Sequence, residues 1–428
     1  MSDSYDVIIL GAGAAGLMAA ARAGQRGRKV LLLEHTDTAG AKILISGGGR
    51  CNFTNMEIKP DRFISANPHF ARSALARYTQ HDFIDLVQAY HIPFYEKTLG
   101  QLFCEGAGAA RLIVDMLLSE CTKGGVTIAT DVQVQDVARV GEAYVVTTQV
   151  GRATAPSLII ATGGASIPKL GATGFAYEIA RQFDVALIEP KPALVPLVFG
   201  IKDIELMRPL AGVSLEGIAA KGKTAFREGM VFTHRGLSGP AILQISSYWN
   251  KGESIYLDLL PDVKAEQWLI EAKTARPRAQ ASTILSERLP QRLAHAMAEK
   301  AGLDRPMADL KDAQLRSLSE TLHHWDLTPV GDEGYAKAEV TKGGIDTAAL
   351  NQKTMEVKAV PGLYFIGEAV DVTGWLGGYN FQWAWSSGVA AGEAVYPLPF
   401  SMARRPPLVR AATSRSAAGS ITSGGAHK

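Results

Sequence analysis

Cysteine is scarce in this chain: three in 428 residues, Cys51, Cys104 and Cys121, far apart and with no Cys-x-x-Cys pair. That spacing excludes a dithiol redox centre and a cysteine zinc site, and it fits the reduced thiols of a cytoplasmic protein. His323 and His324 are adjacent, not spaced to share a helix face, so no metal is expected. No charge sign prevails, with 44 Lys and Arg against 42 Asp and Glu for a net charge of +2. There is no basic stripe or aromatic platform of the kind phosphate-backbone binding needs, so small-molecule partners are expected and nucleic acid is not. No stretch reaches the roughly 18 uninterrupted apolar residues of a membrane-spanning helix. The apolar start carries Asp3 and Asp6 in place of lysines, unlike a signal peptide. A soluble, cytoplasmic protein of open oligomeric state is the expectation.

What is present is a nucleotide fingerprint. The apolar run Asp6-Val7-Ile8-Ile9-Leu10 empties into Gly11-Ala12-Gly13-Ala14-Ala15-Gly16 and then a helix-forming segment. Gly11 permits the tight turn, Gly13 lets the backbone approach a pyrophosphate, Gly16 lets the helix pack on the strand, and amides at Ala14 and Ala15 face the phosphates. A second strand, Lys29 to Leu33, ends in Glu34, about 20 residues past the glycines, where a carboxylate accepts from a ribose 2′-hydroxyl and disfavours a 2′-phosphate. FAD and NAD both present an ADP half, so the fingerprint alone does not choose between them.

The next segment favours an extended ligand lying along backbone: Gly40-Ala41-Lys42, then Ser46-Gly47-Gly48-Gly49-Arg50-Cys51-Asn52-Phe53-Thr54-Asn55. Lys42 and Arg50 are suited to phosphate or to the electron-rich pyrimidine edge of a flavin. Ser157 to Ile160 is a buried-strand run opening into Thr162-Gly163, and Gly362 to Ile366 is another, opening into Gly367-Glu368. Thr233 to Pro240 and Gly377-Gly378-Tyr379-Asn380-Phe381-Gln382 complete the set.

Together these motifs resemble the BaiN-type FAD-dependent oxidoreductases, a bacterial family that includes an aminoacetone oxidase, over about Tyr5 to Pro399. The resemblance implies an α/β protein with a glutathione-reductase-like FAD-binding Rossmann domain and FAD as cofactor. In similar flavoproteins the backbone near Val134 meets the adenine. An aspartate usually follows the glycine of the last strand, a place Glu368 takes here with Asp371 close behind. After Gly378, Tyr379 and Asn380, a helix expected from Trp383 to Ala394 should start at the flavin, where its positive end favours a reduced, anionic ring.

Prolines at Glu189-Pro190-Lys191-Pro192 mark a boundary. We expect an FAD-binding domain from 1–189 and 340–400 and an inserted substrate domain from 190–339. Its β part covers about 190–262, its helical part about 263–325, and a disordered tail follows from 401 to 428. His234, Arg235, Tyr335 and Lys337 are its candidate catalytic groups. Only one dinucleotide fingerprint is visible, so NAD(P)H, if it is the transient donor, binds without its own module. The resemblance leaves open two directions, NAD(P)H-dependent reduction of an activated double bond and oxidation of a small amine by oxygen. A non-catalytic flavin redox sensor is the rival from another class.

Overall fold

The computed structural model describes residues 2–396, so the expected tail at 401–428 lies outside the described residues. Five short strands form a wholly parallel central sheet: β1 (Val7–Leu10), β2 (Val30–Leu33), β3 (Thr127–Ala129), β4 (Ser157–Ile160) and β5 (Leu363–Phe365). Their order is β5-β4-β1-β2-β3. β1, β2, β4 and β5 are buried at every position, as strands must be when helices cover both faces. The order and the wholly parallel pairing are those of a Rossmann-type fold.

Helix α1 (Ala14–Gln25) carries the chain from β1 to β2, and the buried α5 (Tyr379–Ala394) lies against it. Small residues set that distance: a Cβ on Gly388 would stand 2.7 Å from Ala15 O, and one on Gly392 2.6 Å from Ala19 O. Between β2 and β3 run α2 (Ala41–Gly49), interrupted by non-helical backbone at Ser46 to Gly48, and later α3 (Ala110–Lys123). A three-stranded antiparallel sheet, Asn52–Asn55, Gln101–Cys104 and Phe94–Glu96, fills a stretch whose beginning reads in the sequence as ligand-facing loop. The correction has a clear cause. Phe53 and Phe94 bury a T-shaped pair at 5.5 Å, which anchors Asn52–Asn55 in the core.

The proline-rich segment at 189–192 is half of a two-stranded ribbon, Leu187–Ala193 against Val340–Ile345, whose register breaks between Ile188 and Lys191. Pro190 occupies that break, where no ladder hydrogen bond is lost. Beyond the ribbon an antiparallel seven-stranded sheet builds a second core. Its longest pair is the hairpin Ser214–Lys221 with Thr224–Phe232, and Trp325–Leu327 closes one edge beside Ile255–Asp258. Helices Ala265–Ala275, Gln291–Lys300 and Asp312–His323 bury Leu269, Leu293 and Leu318 against that core. Among the described residues no helix is long and apolar enough to cross a membrane.

Candidate cofactor site and interdomain seam

The turn from β1 into α1 separates three glycines by what surrounds them. Gly11 has φ +99°, and a Cβ there would lie 2.6 Å from Ala161 O; a Cβ on Gly16 would lie 1.9 Å from Gly11 O. Both are glycine because the protein's own backbone comes that close. Gly13 is different: a Cβ built there meets no protein atom within 4 Å. Its openness serves nothing in the packing. Glu34, 8% exposed, accepts through Oε2 from Ala12 N at 2.8 Å and through Oε1 from Thr36 N and Thr36 Oγ1, each at 3.0 Å. His35 Nδ1 also reaches Oε1 at 2.9 Å. The carboxylate is held in one orientation with acceptor capacity left on Oε2 for a hydroxyl. Val132 N bonds Glu34 O at 2.9 Å, which brings the Val134 strand beside this end of the site.

At the carboxyl end of β4, Thr162 Oγ1 is buried with no hydrogen-bond partner among the described residues. Gly163 beside it has φ +72° and open surroundings. At the end of β5, Glu368 gathers a network. Its Oε1 accepts from Ser166 Oγ at 2.7 Å and Thr341 N at 3.0 Å, and its Oε2 pairs with Lys42 Nζ at 3.0 Å. Lys42 Nζ also donates to Ser166 Oγ at 2.8 Å. Asp371 serves a different segment, since it is 2% exposed and accepts from Ala66 N at 2.7 Å, while burial pushes its carboxyl above the usual range. The two carboxylates that compete in the sequence thus belong to separate clusters.

The end of α2 and the residues just past it carry left-handed backbone: Gly47, Gly48 and Gly49 have φ of 57°, 67° and 82°, and Cys51 has 49°. Ser46 Oγ caps the preceding turn by donating to Ile43 O at 2.7 Å. Gly48 has no neighbour within 4 Å of a built Cβ. Cys51 is fully buried and burial pushes its thiol far above the ordinary range, so its side chain is a packing group and any ligand contact falls to its backbone. The Asn52 amide sits against Gln101 at 3.2 Å.

At the entry to α5, a Cβ on Gly378 would stand 2.3 Å from Thr54 O. Tyr379 is turned inward, its hydroxyl receiving a hydrogen bond from Arg62 and donating to Glu57 O at 3.2 Å. Asn380 spends its amide on Gly374, accepting from N and donating to O at 2.9 Å each. Tyr379 and Asn380 therefore shape the turn with their side chains and leave backbone to face a ligand. Gly367 N, by contrast, is already bonded to Ser387 Oγ at 3.0 Å.

Helix α4 (Pro240–Ser246) forms the seam to the inserted domain. Gln244, 5% exposed, donates to Glu228 and accepts from Leu376 N at 3.1 Å. Ser246 Oγ accepts from Val195 N at 3.0 Å, and Ser247 O accepts from Lys342 Nζ at 2.7 Å. Burial raises the Glu228 carboxyl and lowers the Lys342 amine, so each is biased toward its neutral form. The sequence reading missed both groups. The signal for Gln244 was a polar residue amid apolar neighbours on a short helix after Gly239-Pro240. Of the four groups chosen instead, His234 and Lys337 are exposed and Arg235 lies 3.9 Å from Glu333. Tyr335 accepts through its carbonyl from Ile167 N at 2.9 Å, and burial raises its phenol. The structure brings Arg235 to the 331–337 segment but gathers no single constellation of the four.

A family model, the HI0933-like protein Rossmann domain, matches residues 5–394. The chain belongs to the HI0933-like family. It is 49% identical over 395 residues to the ribosomal RNA dihydrouridine synthase of Escherichia coli (strain K12), covering 91% of this chain and 98% of that protein. The protein of the same description from Haemophilus influenzae (strain ATCC 51907 / DSM 11121 / KW20 / Rd) is 46% identical, over 92% of this chain and 99% of its own. The 3-dehydro-bile acid delta(4,6)-reductase of Clostridium scindens (strain ATCC 35704 / DSM 5676 / VPI 13733 / 19) is 30% identical, over 91% and 99%.

The HI0933-like chain is a flavin oxidoreductase by family, and its residues fit FAD. Gly13 is open where a pyrophosphate needs close backbone approach, Glu34 keeps acceptor capacity for a ribose, and Thr162 Oγ1 is a buried hydroxyl without a protein partner. Gly48 and Gly163 add unobstructed backbone.

Proposed function

We propose that this protein reduces a carbon–carbon double bond conjugated to a carbonyl. The substrate class is the uracil ring of a uridine in ribosomal RNA, and the electrons come from NADH or NADPH. The observation that carries this reading is the 49% identity, along nearly the whole of both chains, to a protein named for dihydrouridine synthesis in ribosomal RNA. The more distant bile acid relative also bears a reductase's name. The expectation of a small-molecule substrate rested on the net charge and on the lack of a basic stripe or aromatic platform along the sequence, and both are silent about a face assembled from distant segments.

FAD, when bound, supplies the two-electron chemistry. Saturating the uracil 5,6 bond also takes one proton from a protein group or water. Glu228 is suited to hold it, since burial keeps its carboxyl protonated to higher pH than a free glutamate, and Gln244 fixes its direction. Lys342 uses one N–H on Ser247 O and has others for a carbonyl oxygen.

The test is anaerobic. Bleaching of the flavin absorbance by NADH or NADPH, followed by reoxidation on adding unmodified ribosomal RNA and the appearance of dihydrouridine by nucleoside mass spectrometry, is the expected result. No bleaching by either nucleotide, with hydrogen peroxide formed from small amines in air, would replace this reading with the oxidase direction.

A further inference from the structure

The outer face of the three-stranded sheet lies outside the seam, and Arg50, which the sequence offers as a phosphate- or flavin-facing group, is turned toward it through Tyr95. Tyr95 and Phe103 are cross-strand partners with rings 6.0 Å apart and 23° from parallel, so both project from the same side. Lys97, two residues on, lies with Nζ 5.5 Å from the centre of the Phe103 ring. Arg50, on the glycine-rich loop, donates to Tyr95 Oη at 3.3 Å. Arg50 and Lys97 are exposed and Tyr95 is half-exposed. Strand alternation sends Phe94 and Glu96 to the other side, where Phe94 joins the core.

This face is continuous with the cofactor loops at both ends. A Cβ on Gly47 would lie 2.7 Å from Phe103 Cε1, and one on Gly377 2.9 Å from Gln101 Cδ. Gln101 is on the same side as Phe103, two residues earlier. Tyr95, half-exposed and backed by the buried Phe103, is flanked by two exposed cations between the two glycine loops, and this has the chemistry that takes single-stranded nucleic acid: one flat ring for a base, fixed positive charge for phosphates. Leu99 at the neighbouring turn and Ile45 before the glycine loop are 58% and 50% exposed, which widens the apolar part of the surface.

We propose that this face binds the single-stranded RNA that flanks the reacting uridine, with one neighbouring base on Tyr95 and adjacent phosphates on Arg50 and Lys97. The proposal rests on the RNA reading above and names which surface of the chain meets that substrate.

The test is fluorescence anisotropy of the FAD-loaded protein with a labelled, uridine-containing single-stranded RNA oligonucleotide over a salt series. Tyr95→Ala is expected to weaken binding about five- to a hundredfold, the range for losing one stacked base, and Tyr95→Phe to restore it. Lys97→Ala is expected to lower the slope of log affinity against log salt by about 0.7. Lys251→Ala, in an exposed turn of the inserted domain, should bind as the unaltered protein does. Flavin content and melting temperature, read alongside, separate lost binding from lost folding. Equal affinity for the parent protein, Tyr95→Ala and Lys97→Ala overturns the proposal, as does an equal loss in Lys251→Ala. If the parent protein makes dihydrouridine and the Tyr95 and Lys97 variants bind and react equally well, the surface is wrong and the function stands. If oligonucleotide binding depends on Tyr95 and Lys97 but no dihydrouridine forms, the surface stands and the function is wrong. Oligonucleotide-independent capture of an acidic protein by the same residues would assign the face to a different partner and refute the RNA reading of it.

Discussion

Gly13→Asp tests the cofactor assignment without disturbing the fold. Gly13 is the N-cap of α1 with φ −80°, a conformation open to any L residue, and a Cβ there meets nothing within 4 Å. Aspartate is a favoured N-cap, and a negative charge at a helix start adds about 0.3–1 kcal/mol, so the cofactor-free protein should melt no lower than the parent. Toward FAD the same substitution is adverse. Two like unit charges about 4 Å apart at an effective dielectric near 20 repel by about 4 kcal/mol, which weakens binding by about a thousandfold. The assay is the ratio of flavin to protein absorbance after purification, with thermal melting of the flavin-free forms. Gly16→Ala is the contrast, because its Cβ would stand 1.9 Å from Gly11 O and has to push backbone aside. It should lose about 1–3 kcal/mol of stability, and flavin only as a result. A Gly13→Asp protein that retains a full complement of flavin would refute the assignment of the pyrophosphate to this turn.

Glu228→Gln should stabilise the protein at neutral pH. Burial raises the folded-state carboxyl, so the favourable contribution of Glu228 is complete below the unfolded value of 4.5 and is lost as pH rises through the folded value. The advantage of the glutamine variant in melting temperature should therefore shrink on going from pH 7.5 to pH 4.5, and a constant difference would contradict the desolvation argument. Native alkylation with iodoacetamide should label none of Cys51, Cys104 and Cys121, all buried with thiols pushed well above the ordinary range by that burial; rapid labelling of Cys51 by mass spectrometry would overturn its assignment as a packing group. Trp385→Ala, which removes a ring stacked on Phe83 at 4.4 Å, should cost about 3–5 kcal/mol in denaturant unfolding.

The parallel sheet and the fingerprint were legible because their signals are local. An apolar tetrad followed by a glycine turn implies a buried strand ending at a ligand, and Gly11, Gly13 and Gly16 each have surroundings that suit the role given them. The ribbon was visible only as punctuation: Pro190 and Pro192 announced an interruption, but the pairing of Pro192 with Thr341 is non-local. Asn52 to Asn55 was misread because a strand can be recruited by a partner about fifty residues away, and the partner Gln101–Cys104 gives no periodic sign of its own. Glu228, Gln244 and Lys342 were invisible for a related reason. Nothing in the residues themselves tells that a helix end, a strand and a returning ribbon meet, and their significance lies in burial that only tertiary structure creates.

The ribbon has a consequence for how such a protein changes over time. Ala193 and Val340 are direct partners across it, so the inserted domain leaves and re-enters the nucleotide-binding half at neighbouring points. A segment mounted on adjacent ends can lengthen, shorten or be exchanged with little effect on the frame that carries it, because the ends stay paired whatever lies between them. The two hydrophobic cores on either side of the ribbon are thereby free to diverge at different speeds. A lineage built this way keeps its parallel-sheet frame while the segment mounted on the ribbon changes.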